Sequence, residues 1–540
     1  MADKYAVATG DWSVAGTWAA TTGGAPGDGK PGAGDDVYFD AASGAITVTM
    51  DEDSAAVARL DMATFPITGT LAMGTWDIPS TGYVTLGGTV SGSAGAVITT
   101  GDYLTIQSGM TLSTDIAWAM NAITGSQGIN SNGVTIGALT INDSGGDATF
   151  TLQSALTCGA IVITDGAFST GNFALTCTTI SGAGGEIAFG TSTVIAGANI
   201  ITLDSIAATV GAATITATNI DLGAGGTLTM SDTLTIDGGF LLDGGTLTMA
   251  TNKMSVSGSW INASGTLATP GTVEMTGTGD ITTGFGTSPD RLELTSTARV
   301  TAVTSMLVRN GFKGAEESVF NIGAVAVRLC DVATDATDIV ESLGTFTRTT
   351  GSIVLLISRD TSNSPVMDLG DIPVTLYSAG PDDRTWTQSG RYESGDLWAY
   401  HSSATWTTTL NLTGNSVIGD IILGFTSADK SAAIDFNSGV HTIGSITMGH
   451  DANENNEIIF DASSVNATGT IDATGITVTN TSARIFGGTV SNVDNSASPA
   501  IYAHNSTDGG GNSNVIFLNK SWYQNANITK AHRMLLLGDR

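Results

Sequence analysis

Cationic side chains are scarce in this sequence. Only 19 of 540 residues are Lys or Arg, against 50 Asp or Glu, so the formal net charge is −31 and the pI is about 4.1. Such a surface repels phosphate backbones and anionic lipids, so we expect no nucleic-acid partner. No run approaches about 18 continuous apolar residues, and we therefore expect no membrane insertion.

Cysteine is scarce as well. Cys158, Cys177 and Cys330 show no paired spacings, which argues against a disulfide framework. We predict that Cys158 and Cys177 are buried thiols stacked one coil apart; a disulfide or metal pair is the alternative, although no nearby His or Cys completes a ligand set. The N-terminus lacks the apolar segment of about 7–15 residues that a secretory signal peptide needs, so we expect none.

Glycine, by contrast, is abundant. The chain has 70 glycines, each of which would cost roughly 1 kcal/mol inside a helix. The hexapeptide GGTLTM occurs at 225–230 and again 19 residues later at 244–249, and ALTC repeats at the same interval. A period near 20 is typical of a solenoid, so we predict an all-β fold, a parallel and right-handed β-helix with coils of about 19–25 residues.

The repeat also predicts columns of equivalent residues. In GGTLTM the Leu and Met alternate with the threonines, so the former face the core and the latter face solvent. We expect Leu228, Leu247 and Leu267 to stack on one another. Arg309, Arg328 and Arg348 keep the same period and predict an arginine ladder on one outer face, either a solvated, salt-bridged face or a recognition stripe for an anionic glycan.

Changes in the repeat divide the chain. Trp12 and Trp18 lie in an irregular opening segment and are expected to cover the first coil, because a solenoid end exposes core and unpaired strand groups. The predicted regions are an N-terminal cap and attachment region (1–60), a β-helix (61–376), an aromatic-rich insertion (377–406), a β-helix continuation (407–518) and a C-terminal cap or tail (519–540).

The predicted insertion is the candidate binding surface. It is the densest aromatic region of a chain that is 6% aromatic. Aromatic faces stack on sugar rings, and carboxylates between them can accept hydrogen bonds from hydroxyls. A satellite core or an oligomer contact is the alternative. The candidate glycan- or partner-binding residues are Tyr377, Trp386, Tyr392, Trp398, Tyr400 and Trp406.

No catalytic or metal-binding residue is predicted. Glu393 and Asp396 have the residue types of a glycosidase pair, but a three-residue spacing in a loop carries little weight. GxSxG, HExxH, Walker and CxxC motifs are absent. Segment 451–461 has Asn456 and Ala462 where a calcium loop needs Gly and Glu, so polar turns explain it better. We expect no cofactor.

The opening of the chain resembles a known class of proteins. The runs KYAVATGDWSVAGTW, GDDVYFD and ITVTMDEDSAAVARL, within residues 4–60, resemble the start of β-helix structural proteins of tailed bacteriophages, of the fibre, spike or decoration type. Related openings occur in bacterial surface β-helix adhesins. The resemblance implies a virion protein that is assembled in the host cytoplasm, bound through one end to other virion proteins and homotrimeric.

Three functional hypotheses follow from the resemblance and the residues. The first is a non-enzymatic virion protein, a β-helical fibre, spike or capsid-attached fibre that displays a surface for a host or a glycan. The second is a tailspike depolymerase that cleaves host surface polysaccharide. The third is a bacterial cell-surface adhesin.

Overall fold

The structure is a computed structural model of the whole chain. It describes residues 2–122, 124–143, 145, 147–283, 289–309, 311–330, 340–357, 361–363, 367–378, 384–388, 391–401, 407–423, 431–436, 440–444, 446–448, 457–460, 464–467, 470–472, 476–477, 484–486, 489–491, 501–504, 506–512 and 515–518.

The chain forms two compact units, Met1–Thr272 and Val273–Arg540, and each unit is a parallel β-solenoid. Over the described residues the helices are two short 3₁₀ turns, Ala15–Thr17 and Ala41–Ser43. Neither is long and apolar enough to cross a membrane. The predicted all-β, parallel solenoid is confirmed.

Three sheets, A to C, form the first unit. Sheet A contains, in spatial order, Trp18–Ala19, Asp3–Ala6, Asp36–Tyr38, Arg59–Asp61, Val84–Leu86, Leu104–Ile106, Thr124–Asn130, Asp147–Leu152, Ala167–Ser169, Glu186–Gly190, Ala207–Val210, Thr227–Met230, Thr246–Thr248 and Thr266–Thr269. Sheet B contains Gly10–Asp11, Thr47–Thr49, Thr70–Gly74, Thr89–Gly92 and Thr111–Leu112. Sheet C contains Ile78–Pro79, Val97–Thr100, Ala117–Met120, Leu139–Ile141, Leu156–Thr157, Ile161–Ile163, Leu175–Thr176, Ile180–Gly182, Thr193–Ile195, Ile200–Thr202, Thr214–Leu222, Leu234–Leu242, Lys253–Val256 and Trp260–Asn262.

The second unit also has three sheets, D to F. Sheet D contains Thr272–Met275, Thr278–Thr282, Arg291–Leu294, Arg299–Ala302, Gly311–Gly314, Val319–Asn321, Val340–Ser342, Thr345–Thr347, Met367–Asp368, Tyr392–Ser394, Ser416–Ile418, Val440–Ile443, Ser464–Ala467, Arg484–Phe486, Ile501–His504 and Val515–Leu518. Sheet E contains Met306–Val308, Ala326–Cys330, Ser352–Ile357, Val374–Ser378, Leu397–His401, Ile421–Leu423, Ile446–Met448, Thr470–Asp472, Thr489–Ser491 and Thr507–Gly510. Sheet F contains Thr361–Asn363, Arg384–Gln388, Thr407–Leu412, Ser431–Phe436, Glu457–Phe460 and Ile476–Thr477.

The core consists of apolar side chains stacked from coil to coil. Leu228 pairs with Leu247, and Leu247 pairs with Leu267, as the 19-residue repeat predicts. Leu228 and Leu247 are fully buried, whereas Thr227 and Thr229 between them are exposed. Because strands alternate their side chains, this register places one apolar and one threonine column on opposite faces of sheet A.

Two tryptophans cover the first coil, as predicted. Trp12 and Trp18 are buried and meet edge to face at 4.9 Å, and the Trp18 indole N–H donates to the Trp12 carbonyl at 2.8 Å. Strand Trp18–Ala19 pairs antiparallel with Asp3–Ala6 at the end of sheet A. This reversed strand and the aromatic pair together end the sheet and cover the apolar interior.

Cys158 and Cys177 lie at equivalent positions in consecutive coils. The pairs Leu156–Leu175 and Thr157–Thr176 precede them, and both thiols are free and buried. Burial raises the pKa of Cys177 from its ordinary value to about 12, so the thiol stays protonated and unreactive. The predicted pair of stacked, reduced thiols is confirmed. The side chain of Cys330 lies outside the described residues.

The predicted arginine ladder is wrong. Arg328 pairs with Leu307 on one side and with Val354 on the other, not with another arginine. The guanidinium of Arg348 donates to the carbonyl of Asp371 at 3.1 Å. The coils here are longer than 19 residues: Val327 pairs with Ile353, so an arginine spacing of 19 or 20 drifts out of register.

The leucine column gives a direct test of the coil register. We expect Leu247→Ala to lower the free energy of unfolding by about 2–5 kcal/mol, because it leaves a cavity between two paired leucines. The exposed Thr229→Ala should change it by no more than about 0.5 kcal/mol. Denaturant unfolding measures both values, and equal losses in the two variants would contradict the stacked core.

Stacking is unfavourable where a column carries like charges. Asp221 is half-buried and lies beside Asp204 and Asp243 of neighbouring coils. Burial, and then the charges of Asp204 and Asp243, raise the pKa of Asp221 above its ordinary value. The folded state therefore favours protonated Asp221, and the ionised form costs stability at any pH above the raised pKa.

We expect Asp221→Asn to raise the thermal unfolding midpoint at pH 7, where the substitution removes that cost. The gain should shrink as the pH falls through the raised pKa and vanish below the unfolded value of about 3.9, where Asp221 is protonated in both states. Asp232→Asn, at an exposed turn, is the matched control and should shift neither midpoint. A gain that is independent of pH would contradict this account.

Candidate functional site

The strands of segment 377–406 form coils of the solenoid. Val374–Ser378 pairs with Ser352–Ile357 before it and with Leu397–His401 after it, and Arg384–Gln388 pairs with Thr407–Leu412. The described residues therefore continue sheets D to F through the segment that the sequence predicts as an insertion. The irregular spacing reflects coils of 23 to 25 residues, as between Val374 and Leu397 or Ile421 and Ile446.

The predicted binding residues fall into three groups. Trp386 and Tyr392 are 1% exposed and belong to the core, so their rings are closed to a ligand. Tyr377 is half-buried and Trp398 is exposed, both on strands of sheet E. Tyr400 pairs with Tyr377 through the backbone. The Tyr400 side chain and all of Trp406 lie outside the described residues.

The weak carboxylate pair has structural partners. Glu393 accepts a hydrogen bond from the guanidinium of Arg391, and Asp396 accepts one from the backbone N–H of Asp420 at 3.1 Å. Residues 451–456 of the rejected calcium loop lie outside the described residues. Among the residues that are described, no group of three or more His, Cys, Asp or Glu could hold a metal ion.

The most organised polar surface lies instead on the outer face of sheet A, near the N-terminus. It consists of five stacked side chains, Tyr5, Tyr38, Arg59, Tyr83 and Tyr103, which we call the tyrosine–arginine surface. The rings of Tyr5 and Tyr38 stack at 4.7 Å, and those of Tyr83 and Tyr103 stack at 4.8 Å and 5° between planes. The Arg59 guanidinium carbon lies 4.9 Å from the centre of the Tyr38 ring and 5.6 Å from that of Tyr83, within cation–π range of both.

Arg59 joins the two tyrosine pairs through hydrogen bonds. Its guanidinium donates to the hydroxyls of Tyr38 and Tyr83, in the latter case at 3.1 Å. It also forms an ion pair with Asp36 at 3.0 Å, and the Tyr83 hydroxyl donates to Asp61 at 3.1 Å. A planar group with five donors can satisfy these partners at once, which an ammonium group cannot do.

The tyrosine hydroxyls remain neutral donors. Burial, and then the charge of Asp61, raise the pKa of Tyr83 above its ordinary value. Burial, and then the charge of Asp102, raise the pKa of Tyr103. At physiological pH the surface therefore presents intact phenols rather than phenolates.

Two grooves lie along the coils of the first unit. The first, of about 480 Å³, is polar and runs beside Tyr83 and Tyr103; its side chains include Ser80, Thr81, Asp102, Asn121, Thr124 and Gln127. The second, of about 530 Å³, crosses sheet A further along the chain and is lined by the carboxylates of Asp147, Asp165 and Glu186. Both volumes lie within the roughly 300–1,000 Å³ range of small-molecule sites.

Sequence reasoning missed the tyrosine–arginine surface although a signal was present. Tyr38, Arg59, Tyr83 and Tyr103 follow one another at one-coil intervals, the same period that the leucines and cysteines display. Aromatic density draws attention to residues 377–406 instead, where two of the rings are core.

Comparison with known proteins adds no relative. No protein-family model matches the chain, and no curated protein and no solved structure shows a significant match to it.

The tyrosine–arginine surface predicts that Arg59 stabilises the first coils. We expect Arg59→Met to lower the free energy of unfolding by about 1–3 kcal/mol, because it removes charge-assisted hydrogen bonds at a half-buried site. Arg59→Lys should recover little of this loss, since Lys cannot bridge both phenols and Asp36.

Lys30→Met is the matched control. Lys30 pairs with Glu52, but both side chains are well exposed, so its loss should cost about 0–1 kcal/mol. Thermal or denaturant unfolding of the three variants compares them. Equal losses for Arg59→Met and Lys30→Met would show that the stack adds nothing beyond a surface ion pair.

Proposed function

We propose that the protein is a non-enzymatic structural protein of a tailed-bacteriophage particle. In this proposal it is a β-helical fibre, spike or capsid-attached fibre that displays a surface for a host or a glycan. It attaches through one end to other virion proteins, as a homotrimer. The resemblance of residues 4–60 to the openings of such proteins motivates the assignment.

The observation that carries the proposal is the tyrosine–arginine surface. A solenoid that only served as a spacer would need outward side chains that keep it soluble, as the exposed Thr227 and Thr229 do. Sheet A instead carries four aromatic rings and a guanidinium on its outer face. Tyr and Arg are enriched where proteins recognise partners, because they combine large contact area with directed hydrogen bonds.

The buried cap supports the same proposal. Trp12 and Trp18 close the first coil, so the N-terminal region is a folded part of the solenoid. A closed end protects the sheet from pairing with other chains, which a protein displayed at high local copy number requires.

Mass spectrometry of purified particles tests the proposal. We expect peptides of this chain in the particles at structural stoichiometry, and immunogold labelling confined to one location on the head or the tail. Absence of the chain from particles, together with its presence on a bacterial surface, would favour the adhesin hypothesis instead.

A second assay tests the non-enzymatic part. Incubation of the protein with host capsule or lipopolysaccharide should release no reducing ends. If reducing ends appear, and Asp165→Asn or Glu186→Gln in the acidic groove abolishes them, the protein is a depolymerase and the non-enzymatic assignment is wrong.

A further inference from the structure

We infer that the exposed end of the tyrosine–arginine surface is a binding subsite for a neutral pyranose, with Tyr103 as its platform and Asp102 and neighbouring amides as its hydrogen-bonding groups. The inference rests on the proposed function, since it names the ligand class of the displayed surface. It is carried by the geometry at the coil that follows Tyr103.

The stack stops at Tyr103 because the next coil provides no side chain. One face of the Tyr103 ring lies against Tyr83, so its other face points toward the following coil. The register that pairs Leu104 with Ile129 places Gly128 opposite Tyr103. Glycine leaves that ring face uncovered, and Tyr103 is 37% exposed.

Polar groups surround the open face. Asp102 directly precedes Tyr103, and Gln127 directly precedes Gly128; both line the groove of about 480 Å³. The amide nitrogen of Gln153 lies only 2.2 Å from where a β-carbon of residue 128 would be, so this flexible amide occupies the space above Gly128. Asn121 is exposed at the same groove.

The groove is held open by a tight corner. A β-carbon on Gly101 would lie 2.3 Å from the Thr81 carbonyl oxygen, so the backbones of consecutive coils approach closely just before Tyr103. The buried Thr100 hydroxyl donates to the Gly82 carbonyl at 2.9 Å and fixes that corner. The platform is therefore pre-formed, which limits the ordering cost of binding.

The chemistry of these groups fits a sugar. The C–H face of a pyranose can stack on the open phenol ring, and the ring hydroxyls can donate to the Asp102 carboxylate and exchange hydrogen bonds with the amides of Asn121, Gln127 and Gln153. An acidic sugar would meet Asp102 in a chain of net charge −31 and be repelled. The subsite therefore selects neutral hexoses or N-acetylhexosamines over sialic or uronic acids.

A glycan array followed by calorimetry tests the inference with the full-length protein. We expect binding to neutral pyranosides, with a Kd about tenfold weaker or more in Tyr103→Ala. Tyr103→Phe, which keeps the ring, should bind within about threefold of the parent. Phe173→Ala removes an exposed ring elsewhere in the first unit and should leave the Kd unchanged.

Gly128→Leu tests the open face without removing a ligand contact. The new side chain displaces only the flexible end of Gln153, covers the Tyr103 ring and should weaken binding at least tenfold. The thermal midpoint confirms that the variant is folded. Binding of acidic glycans only, or neutral binding that survives both Tyr103→Ala and Gly128→Leu, would overturn the inference.

The outcomes separate this inference from the proposed function. If the chain is present in particles but binds no neutral glycan, the subsite is wrong and the particle assignment stands. If neutral sugars bind through Tyr103 but the chain is absent from particles, the subsite stands and the particle assignment is wrong.

Discussion

Parallel, in-register pairing between successive coils is the constraint on which the rest of each solenoid unit depends. Every strand hydrogen-bonds to the strand one coil away, so each side chain lies beside its equivalent in the next coil. An apolar residue then continues a buried column, as Leu228 and Leu247 do. Stability is gained coil by coil, and the residue type at one position limits what its neighbours can be.

The same constraint sorts polar residues by whether they tolerate their own kind. Threonine hydroxyls and neutral phenols stack without charge repulsion, so Thr columns and the Tyr83–Tyr103 pair form readily. Carboxylates repel one another, and the raised pKa of Asp221 between Asp204 and Asp243 records that cost. Where a cation enters a column, as Arg59 does between Asp36 and the tyrosines, it joins groups that would otherwise not hold together.

This constraint explains which features the sequence could predict. Fold class, strand direction, the leucine and thiol columns and the tryptophan cap follow from a period of 19 and from side-chain alternation. The period is no longer constant in the second unit, where pairs such as Ile421 and Ile446 lie 25 residues apart. A one-residue drift turns a side chain to the other face. For that reason the arginine ladder was wrong, and Trp386 and Tyr392 proved to be core residues.

A binding site on a solenoid needs an interruption rather than more repetition. Within an unbroken stack both faces of each ring are covered by neighbours, so the chain itself saturates the surface that a ligand would use. Gly128 ends the stack, and only there does a ring face become available beside a groove. The repeating positions determine where Tyr103 lies and hold it rigid, and the single missing side chain makes it accessible. Functional positions in such a fold should therefore be sought one coil beyond the end of an ordered column, where a small residue replaces a large one.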